Sequence, residues 1–215
     1  MDLFDLNPDY QQYLENHSTP EDDVLSELRR YTFLKVIHPR MISGQVQGRF
    51  LEMISKMILP TKILEIGTYT GYSAICLARG LKAGGKLYTL EINDELIDKS
   101  RKFFVKAKLD DSIDSIHGDA VKLIPQMDDD FDLIFIDGEK EQYSDYYKLC
   151  LPKLKKGGVL IADNVLWDGK VYDEKYKNDN ATQAIKKFNK LVQDDSRVEN
   201  LILPVRDGLM VVRKI

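Results

Sequence analysis

The chain has 215 residues and a formal net charge of −4, with 31 basic and 35 acidic side chains. This length favours a single domain with one sizeable core, expected here over residues 1–215. The sequence holds no apolar run near the roughly 20 residues that a membrane span needs, its acidic balance argues against a large nucleic-acid footprint, and its polar N-terminus is unlike a secretory signal. We therefore expect a cytoplasmic protein in which Cys76 and Cys150 are buried free thiols.

Helical patterns dominate residues 1–60, which we expect to form a helical cap ahead of a core at residues 61–215. The predicted helices cover residues 8–17, 20–38 and 45–59. Thr19 could cap the second of these helices, with Pro20 at the first helical position, where a missing N–H is tolerated.

From residue 61 onward, short β-rich runs alternate with helical patterns. Runs such as LIFI and VLIA are apolar on both faces, which is typical of buried parallel strands. The predicted strands cover residues 62–66, 86–92, 112–118, 131–137 and 157–163. The predicted helices between them cover residues 72–82, 94–108, 119–127 and 141–155. This alternation predicts a Rossmann-like, doubly wound α/β fold.

The C-terminal part of the sequence departs from this alternation. After a predicted loop at residues 164–180, a helix over residues 181–194 leads to two closing strands joined at Arg206, Asp207 and Gly208. So short a connection predicts an antiparallel hairpin. The whole fold is therefore expected to be a seven-stranded, mostly parallel sheet with a C-terminal antiparallel hairpin strand and extra N-terminal helices.

A glycine-containing turn follows the first predicted strand and opens a helix. Gly67 and Gly71 permit a tight turn and a close approach of the backbone to a ligand. The second strand ends at Glu91, which is well placed to accept hydrogen bonds from ribose hydroxyls, and Asp119 follows the third strand, where an acid can meet an adenine amine. Each feature alone is compatible with a plain turn or a solvated strand end, but three consecutive strand tips together favour a nucleoside site.

The spacing of the glycines indicates which nucleoside. The turn reads G-x-x-x-G and lacks the third glycine of the dinucleotide fingerprint, which disfavours a dehydrogenase with a tightly held pyrophosphate. S-adenosyl-L-methionine carries adenine and ribose without phosphate, and it fits this pattern.

Acidic residues also end the fourth and fifth predicted strands. Asp137 follows one strand, and Asp163 with Asn164 follows the next, so their oxygens are expected to converge at one edge of the sheet. Two carboxylates and an amide oxygen suit a hard cation, Mg²⁺ first and Mn²⁺ or Ca²⁺ as alternatives. Capping of the following helix or turn is the competing interpretation for each aspartate. Lys140, three residues past Asp137, is a candidate general base if neighbouring cation charge and burial lower its pKa, and otherwise an ordinary surface lysine.

Together these motifs resemble the cation-dependent class I O-methyltransferase family, which includes caffeoyl-CoA and catechol O-methyltransferases, and they look like a bacterial member. The matching stretches are MISGQVQGRFL, LEIGTYTGYSA, GDA, FDLIFIDGEKEQY, GGVLIADNVLWDGKV and RDGLMVV. The resemblance implies a methyltransferase that uses S-adenosylmethionine and a divalent metal to methylate a hydroxyl of a small vicinal-diol aromatic, catechol-like or caffeoyl-like. It also implies a homodimer, because the family usually forms one.

The resemblance implies a role for each matching residue. The cofactor would be held by Met41, Ser43, Glu65, Gly67, Tyr69, Ser73, Glu91, Asp119, Ala120 and Asp137. The metal would be bound by Asp137, Asp163 and Asn164, with Lys140 and Asp137 as the catalytic pair. The acceptor would be bordered by Tyr143, Trp167 and Asp207.

The sequence departs from the catechol enzyme at two places. Gly138 and Glu139 stand where that enzyme has His-Trp, and Leu201–Pro204 offers no glutamate in register to touch a second hydroxyl. Strict catechol specificity is therefore unsupported.

Two other functions remain open at the level of sequence. Methylation of a hydroxylated uridine in tRNA would use a basic face beside Tyr172 and Tyr176. That face consists of Lys170, Lys175, Lys177, Lys186, Lys187 and Lys190. A non-catalytic nucleoside-binding module is the second alternative, but such a module would not require Asp137, Lys140 or Asp163.

Overall fold

The computed structural model describes residues 8–127 and 130–215 of the chain. Its described strands form one seven-stranded sheet in the order β3-β2-β1-β4-β5-β7-β6. The strands are β1 (Lys62–Ile66), β2 (Lys86–Glu91), β3 (Ile113–His117), β4 (Phe131–Ile136), β5 (Leu154–Ala162), β6 (Val198–Leu203) and β7 (Leu209–Lys214). The sheet confirms the predicted mostly parallel architecture with its C-terminal antiparallel hairpin.

The chain divides into two compact units, the first of which spans residues 5–119. Its strands β1, β2 and β3 pair in parallel, with Ile66 beside Leu90 and Glu91 beside His117. Its helices are α1 (Pro8–Asn16), α2 (Asp23–Lys35), α3 (Gly44–Ile58), α4 (Tyr72–Ala78) and α5 (Asp94–Lys106). The apolar side chains of β1 and of α4 are buried, which anchors the turn that joins them.

The second helix is shorter than the sequence predicted. The Asp22 side chain accepts a hydrogen bond from the Leu25 backbone N–H at 3.0 Å, so Asp22 and not Thr19 is the N-cap. A carboxylate there meets an otherwise unpaired N–H of the first turn, which favours helix initiation at that residue. The helix ends at Lys35 because Val36 has extended backbone angles.

The second unit includes residues 120–215. Strands β4 and β5 are parallel, whereas β7 runs antiparallel to both β5 and β6. Its helices are α6 (Ala120–Leu123), α7 (Tyr143–Lys153) and α8 (Asn180–Gln193). The predicted loop at residues 164–180 contains two short 3₁₀ helices, Trp167–Tyr172 and Glu174–Tyr176, in addition to irregular backbone.

Two further expectations concern the cysteines and membrane spans. Cys76 and Cys150 are buried free thiols, as predicted. Within residues 8–127 and 130–215, no helix is both long and apolar enough to span a membrane.

Candidate active site

The turn after β1 has the left-handed backbone angles that glycine permits. Gly67 and Gly71 have φ values of 96° and 91°, and Tyr69 between them has a φ of 48°, which is unusual for a bulky side chain. A Cβ atom on Gly71 would lie 2.5 Å from Cε1 of Phe104. Position 71 therefore requires glycine for both its backbone angle and the space beside it.

The carboxylate at the end of β2 is fixed by backbone hydrogen bonds. Glu91 is 7% exposed, and its Oε2 accepts from the Tyr69 N–H at 2.7 Å while its Oε1 accepts from the Asn93 N–H at 2.9 Å. Each carboxylate oxygen keeps a further lone pair that can accept a hydroxyl proton. Glu91 thus joins the glycine turn to the strand end at which the sequence predicts a ribose contact.

Glu65, the fourth of the five residues of β1, lies inside the protein. Its side chain is fully buried, and its Oε2 accepts from the Thr89 hydroxyl at 2.5 Å. The Thr89 hydroxyl in turn lies 2.5 Å from that of Thr68, the residue after Gly67. Glu65 supports the turn through this buried chain, and its contact with the cofactor stays a prediction.

Tyr69 has a role that its sequence context did not indicate. Its hydroxyl donates to the backbone carbonyl oxygen of Ile37 at 3.1 Å and lies 3.3 Å from that of His38. Beside it, the buried hydroxyls of Thr32 and Thr70 are 3.1 Å apart. The glycine turn is therefore tied to the end of α2 and to the segment that follows it.

The remaining predicted cofactor residues have contrasting environments. Met41 ends the 3₁₀ helix Pro39–Met41 and is 59% exposed, whereas Ser43 and Ser73 are buried near the starts of α3 and α4. Asp119 follows β3, and Ala120 is the first residue of α6. Exposed Met41 is free to contact a ligand.

Strands β4 and β5 bring the two predicted acidic ligands to neighbouring strand ends. Ile136 pairs with Ala162 in the parallel ladder, so Asp137 and Asp163 each follow one member of this pair. The Asp163 N–H donates to the Ile136 carbonyl oxygen at 2.9 Å. Asp163 is 3% exposed, and its Oδ1 accepts from the Asn164 N–H at 2.7 Å.

Lys140 connects this acidic edge to an aromatic wall. Its Nζ donates to Asp137 Oδ1 at 2.9 Å and to the Tyr143 hydroxyl oxygen at 2.8 Å, and the Tyr143 hydroxyl donates to the Asp163 carbonyl oxygen at 3.0 Å. The Lys140 ammonium lies 4.9 Å from the Tyr143 ring centre and 6.0 Å from that of Trp167. The structure thus gathers the predicted base and two predicted acceptor-bordering residues.

The electrostatics of Lys140 are those of a chain without a bound cation. Burial lowers the pKa of the Lys140 ammonium, but the charges of Asp137 and Asp163 and the hydrogen bond with Tyr143 outweigh burial and raise that pKa. Burial also raises the pKa of the Tyr143 phenol. In the chain without a bound cation, Lys140 is therefore a charged ammonium group held by the acids.

The side chains of Asn164 and Asp207, which are 43 residues apart in the sequence, form a hydrogen bond. Asn164 Nδ2 donates to Asp207 Oδ2 at 3.1 Å, and Asp207 Oδ1 accepts from the Asp168 N–H at 2.5 Å. Because the side-chain nitrogen of Asn164 donates to Asp207, its side-chain oxygen is the atom that could bind a cation. Burial raises the pKa of Asp207, and Asn164 has a left-handed φ of 58°. A strained backbone held by tertiary contacts is common at functional sites.

The aromatic environment of Lys170 was not predicted from the sequence. Its Nζ lies 5.3 Å from the Trp167 ring centre and 5.4 Å from that of Tyr176. Lys175, Lys177, Lys186 and Lys187 are exposed, and Lys190 forms an ion pair with Asp194 at 2.8 Å. In the sequence Lys170 resembles these exposed lysines. The signal that sets it apart is its position three residues after Trp167, directly following Gly169.

Clusters of three or more His, Cys, Asp or Glu side chains that could hold a metal ion are absent from the part of the chain that the structure describes. The three predicted cation ligands are not such a cluster, because one of them is the amide of Asn164.

Comparisons with known proteins complete the description of this site. A family model described as O-methyltransferase matches residues 15–215. The caffeoyl-CoA O-methyltransferase of Zinnia elegans is 35% identical over 225 residues, covering 96% of this chain and 89% of that protein.

Two solved structures share the fold. A Podospora anserina methyltransferase with SAH bound has a TM-score of 0.87 at 29% identity, covering 95% of this chain and 93% of the other. The O-methyltransferase from Bacillus cereus in complex with SAH has a TM-score of 0.85 at 30% identity, covering 95% and 96%. The resemblance of the motifs to O-methyltransferases of the caffeoyl-CoA type is confirmed.

Proposed function

The chain belongs to the O-methyltransferase family and is an S-adenosylmethionine-dependent O-methyltransferase, and from this premise we propose that it methylates a small aromatic vicinal diol with the help of a divalent cation. The observation that carries the proposal is the position of Lys140. Its Nζ contacts Asp137 and the Tyr143 hydroxyl at the strand end next to Asp163, with Trp167 alongside. These groups suit a reaction at a phenolic hydroxyl: acids, an amine that can accept a proton once its pKa is lowered, and aromatic walls.

The residues present fit a divalent cation. The Asp137 charge, together with Tyr143 and the Asp163 charge, raises the pKa of Lys140, and the Lys140 ammonium pairs with Asp137 as a counter-ion would. Together with the Asn164 amide oxygen, these carboxylates would supply an all-oxygen donor set of the kind that Mg²⁺ prefers, with Mn²⁺ and Ca²⁺ as alternatives. When bound, the cation would supply Lewis acidity that favours the ionised form of an acceptor hydroxyl.

The chain's own side chains would orient the acceptor and accept its proton. Lys140 Nζ receives the proton from the hydroxyl, a role that requires the neutral amine and therefore a lower pKa than in the cation-free chain. Tyr143 fixes the Lys140 nitrogen, and Trp167 borders the acceptor ring. The hydroxyl oxygen then forms a bond to the methyl carbon as that carbon's bond to sulfur breaks, leaving S-adenosylhomocysteine. Holding these atoms in line supplies most of the acceleration.

For the cofactor, we propose that the glycine turn and Glu91 hold the nucleoside. Gly67 permits close approach of the backbone, and Glu91, fixed by two N–H groups, offers lone pairs to ribose hydroxyls. Met41, Ser43, Glu65, Tyr69, Ser73, Asp119, Ala120 and Asp137 complete the proposed cofactor-binding set. Asp207 is proposed to position Asn164 beside the acceptor.

A methyl-transfer screen tests the proposed function. Purified protein is incubated with labelled S-adenosylmethionine and with vicinal diphenols, matched monophenols or hydroxylated tRNA, each with and without EDTA. We expect transfer to diphenols only, abolished by EDTA and restored by added Mg²⁺. Transfer to tRNA alone would replace the proposed acceptor, and full turnover in EDTA would exclude the cation.

We also propose that the chain forms a homodimer through its N-terminal helices. Phe33 and Leu34 in α2, and Met53 and Met57 in α3, expose large apolar side chains that cost free energy in water. Light scattering coupled to size-exclusion chromatography measures the mass directly. A dimer that becomes monomeric in Leu34→Glu supports the proposal, and a monomeric parent protein rejects it.

A further inference from the structure

The ring of Trp167 lies close to two ammonium groups. Lys140 Nζ is 6.0 Å from the ring centre and Lys170 Nζ is 5.3 Å from it. The two nitrogens therefore lie no more than about 11 Å apart. Lys140 contacts Asp137, which the proposed function assigns to the cation, whereas Lys170 has no role in the proposed function.

The backbone is strained where it delivers Lys170 to this ring. Trp167, Asp168 and Gly169 have successive φ values of 49°, 51° and 75°, a left-handed run that residues with side chains rarely adopt. The Asp168 N–H is held by Asp207 Oδ1, and a Cβ on Gly169 would lie 2.6 Å from the Tyr172 hydroxyl oxygen. The fold thus maintains an unfavourable backbone that brings Lys170 back over Trp167.

Lys170 is half-buried between the rings of Trp167 and Tyr176. Aromatic faces attract an ammonium group but do not accept its hydrogen bonds as an anion does. No ion pair to Lys170 occurs within residues 8–127 and 130–215, whereas Lys190 and Lys140 have carboxylate partners. The Lys170 ammonium acts electrostatically on the Asp179 carboxylate, which accepts hydrogen bonds from the Thr182 N–H and hydroxyl at the start of α8.

We propose that Lys170 is an anion-binding subsite for the methyl acceptor, and that the acceptor is an aromatic vicinal diol carrying a carboxylate on a short arm. The proposal rests on the proposed function for the diol end of the acceptor. With the diol at Lys140, a dihydroxyphenyl ring with a short acidic arm is long enough to bridge a separation of up to about 11 Å to Lys170. Its carboxylate accepts hydrogen bonds from the ammonium group, whose far side is already partly shielded from water by the two rings.

Two acceptors that differ only in charge test this subsite. In 3,4-dihydroxyphenylacetate and its amide, a methylene group insulates the diol from the substituent, so the hydroxyls react alike. The parent protein is expected to show a KM for the acid about tenfold below that for the amide, as one charge-assisted contact provides. Lys170→Gln removes this preference and Lys170→Arg keeps most of it, while Lys177→Gln, at an exposed site in the same segment, leaves it unchanged.

Binding provides a readout that does not depend on turnover. Trp167 is the only tryptophan of the chain, so its fluorescence reports directly on the ring beneath Lys170. Titration with phenylacetate and with phenylacetamide is expected to change this fluorescence for the anion only, and not in Lys170→Gln.

The two measurements separate the inference from the proposed function. Anion-dependent fluorescence without methylation of any diphenol supports the subsite and rejects the proposed acceptor class. Methylation of acid and amide with equal KM values in both the parent protein and Lys170→Gln overturns the subsite and leaves the proposed function standing. Salt-sensitive methylation of hydroxylated tRNA, with neither small acid used nor bound, overturns both.

Discussion

Replacement of Tyr69 by phenylalanine tests whether the glycine turn depends on the segment after α2. The substitution removes one hydroxyl, which donates to the Ile37 carbonyl oxygen at 3.1 Å and lies 3.3 Å from that of His38. The ring, the strained φ of 48° and the backbone hydrogen bond to Glu91 all remain. The change therefore isolates the link between the turn and residues 37 and 38.

The size of the effect follows from this single hydrogen bond. A net hydrogen bond between protein groups contributes about 0.5–1.5 kcal/mol, and the hydroxyl is partly exposed, so the lower half of that range applies. If the link orders the turn for the cofactor, the Kd for S-adenosylhomocysteine should rise about two- to fivefold, since 1.4 kcal/mol corresponds to a factor of ten. The free energy of unfolding should fall by about 1 kcal/mol or less.

Calorimetric titration with S-adenosylhomocysteine measures the Kd, and urea denaturation measures stability. Tyr147→Phe is the matched control, because the Tyr147 hydroxyl donates to Asp195 Oδ2 at 3.0 Å in the other compact unit. The control should lose at least as much stability, because its hydroxyl donates to a charged carboxylate, and should keep the Kd of the parent protein. An unchanged Kd in Tyr69→Phe, or an equal rise in Tyr147→Phe, would refute a specific role for the Tyr69 link.

Further predictions concern stability. Gly71→Ala should lower the free energy of unfolding by about 2–4 kcal/mol, because the new Cβ meets Phe104 and the left-handed backbone disfavours a side chain; Gly84→Ala, with open space and a similar φ, should cost only about 1 kcal/mol in the same denaturation assay. The Arg197 guanidinium, which donates to Asp195, holds the pKa of that carboxyl well below its usual range. The stability it adds is present above the unfolded pKa of about 4 and is lost as the pH falls through the lower folded pKa, so the stability difference between parent and Asp195→Asn should shrink below about pH 4; a difference that grows there would contradict this assignment.

The sheet could be predicted closely because local patterns determine it. The apolar runs of β1 and β4 are buried on both faces, and the acids that follow β4 and β5 mark the strand ends by their polarity. The start of α2 was misplaced because Thr19 and Asp22 are both acceptable caps, and only the hydrogen bond to Leu25 distinguishes them. Local sequence contains no information on which of two suitable caps is used.

The candidate site could be predicted as a set of residues but not as a set of contacts. Tyr69 reaches backbone 32 residues earlier, and Asn164 reaches Asp207 43 residues later. No periodicity in the sequence encodes such pairs, because they arise from packing between elements. The position of Lys170 over Trp167 likewise depends on a left-handed run at residues 167–169. The single glycine in this run indicates a turn, but the three φ values are known only from the structure.

The most direct test of the proposed chemistry is cation binding at the ends of β4 and β5. Mg²⁺ is titrated calorimetrically into the protein saturated with S-adenosylhomocysteine, and the titration is repeated for Asp163→Asn and for Asp132→Asn, a control in β4 whose carboxylate pairs with Lys155 at 2.8 Å. We predict stoichiometric binding to the parent and the control, and binding at least tenfold weaker in Asp163→Asn, because a carboxylate ligand is lost. Equal binding to all three proteins, or no binding to the parent, would contradict a cation held by Asp137, Asp163 and Asn164.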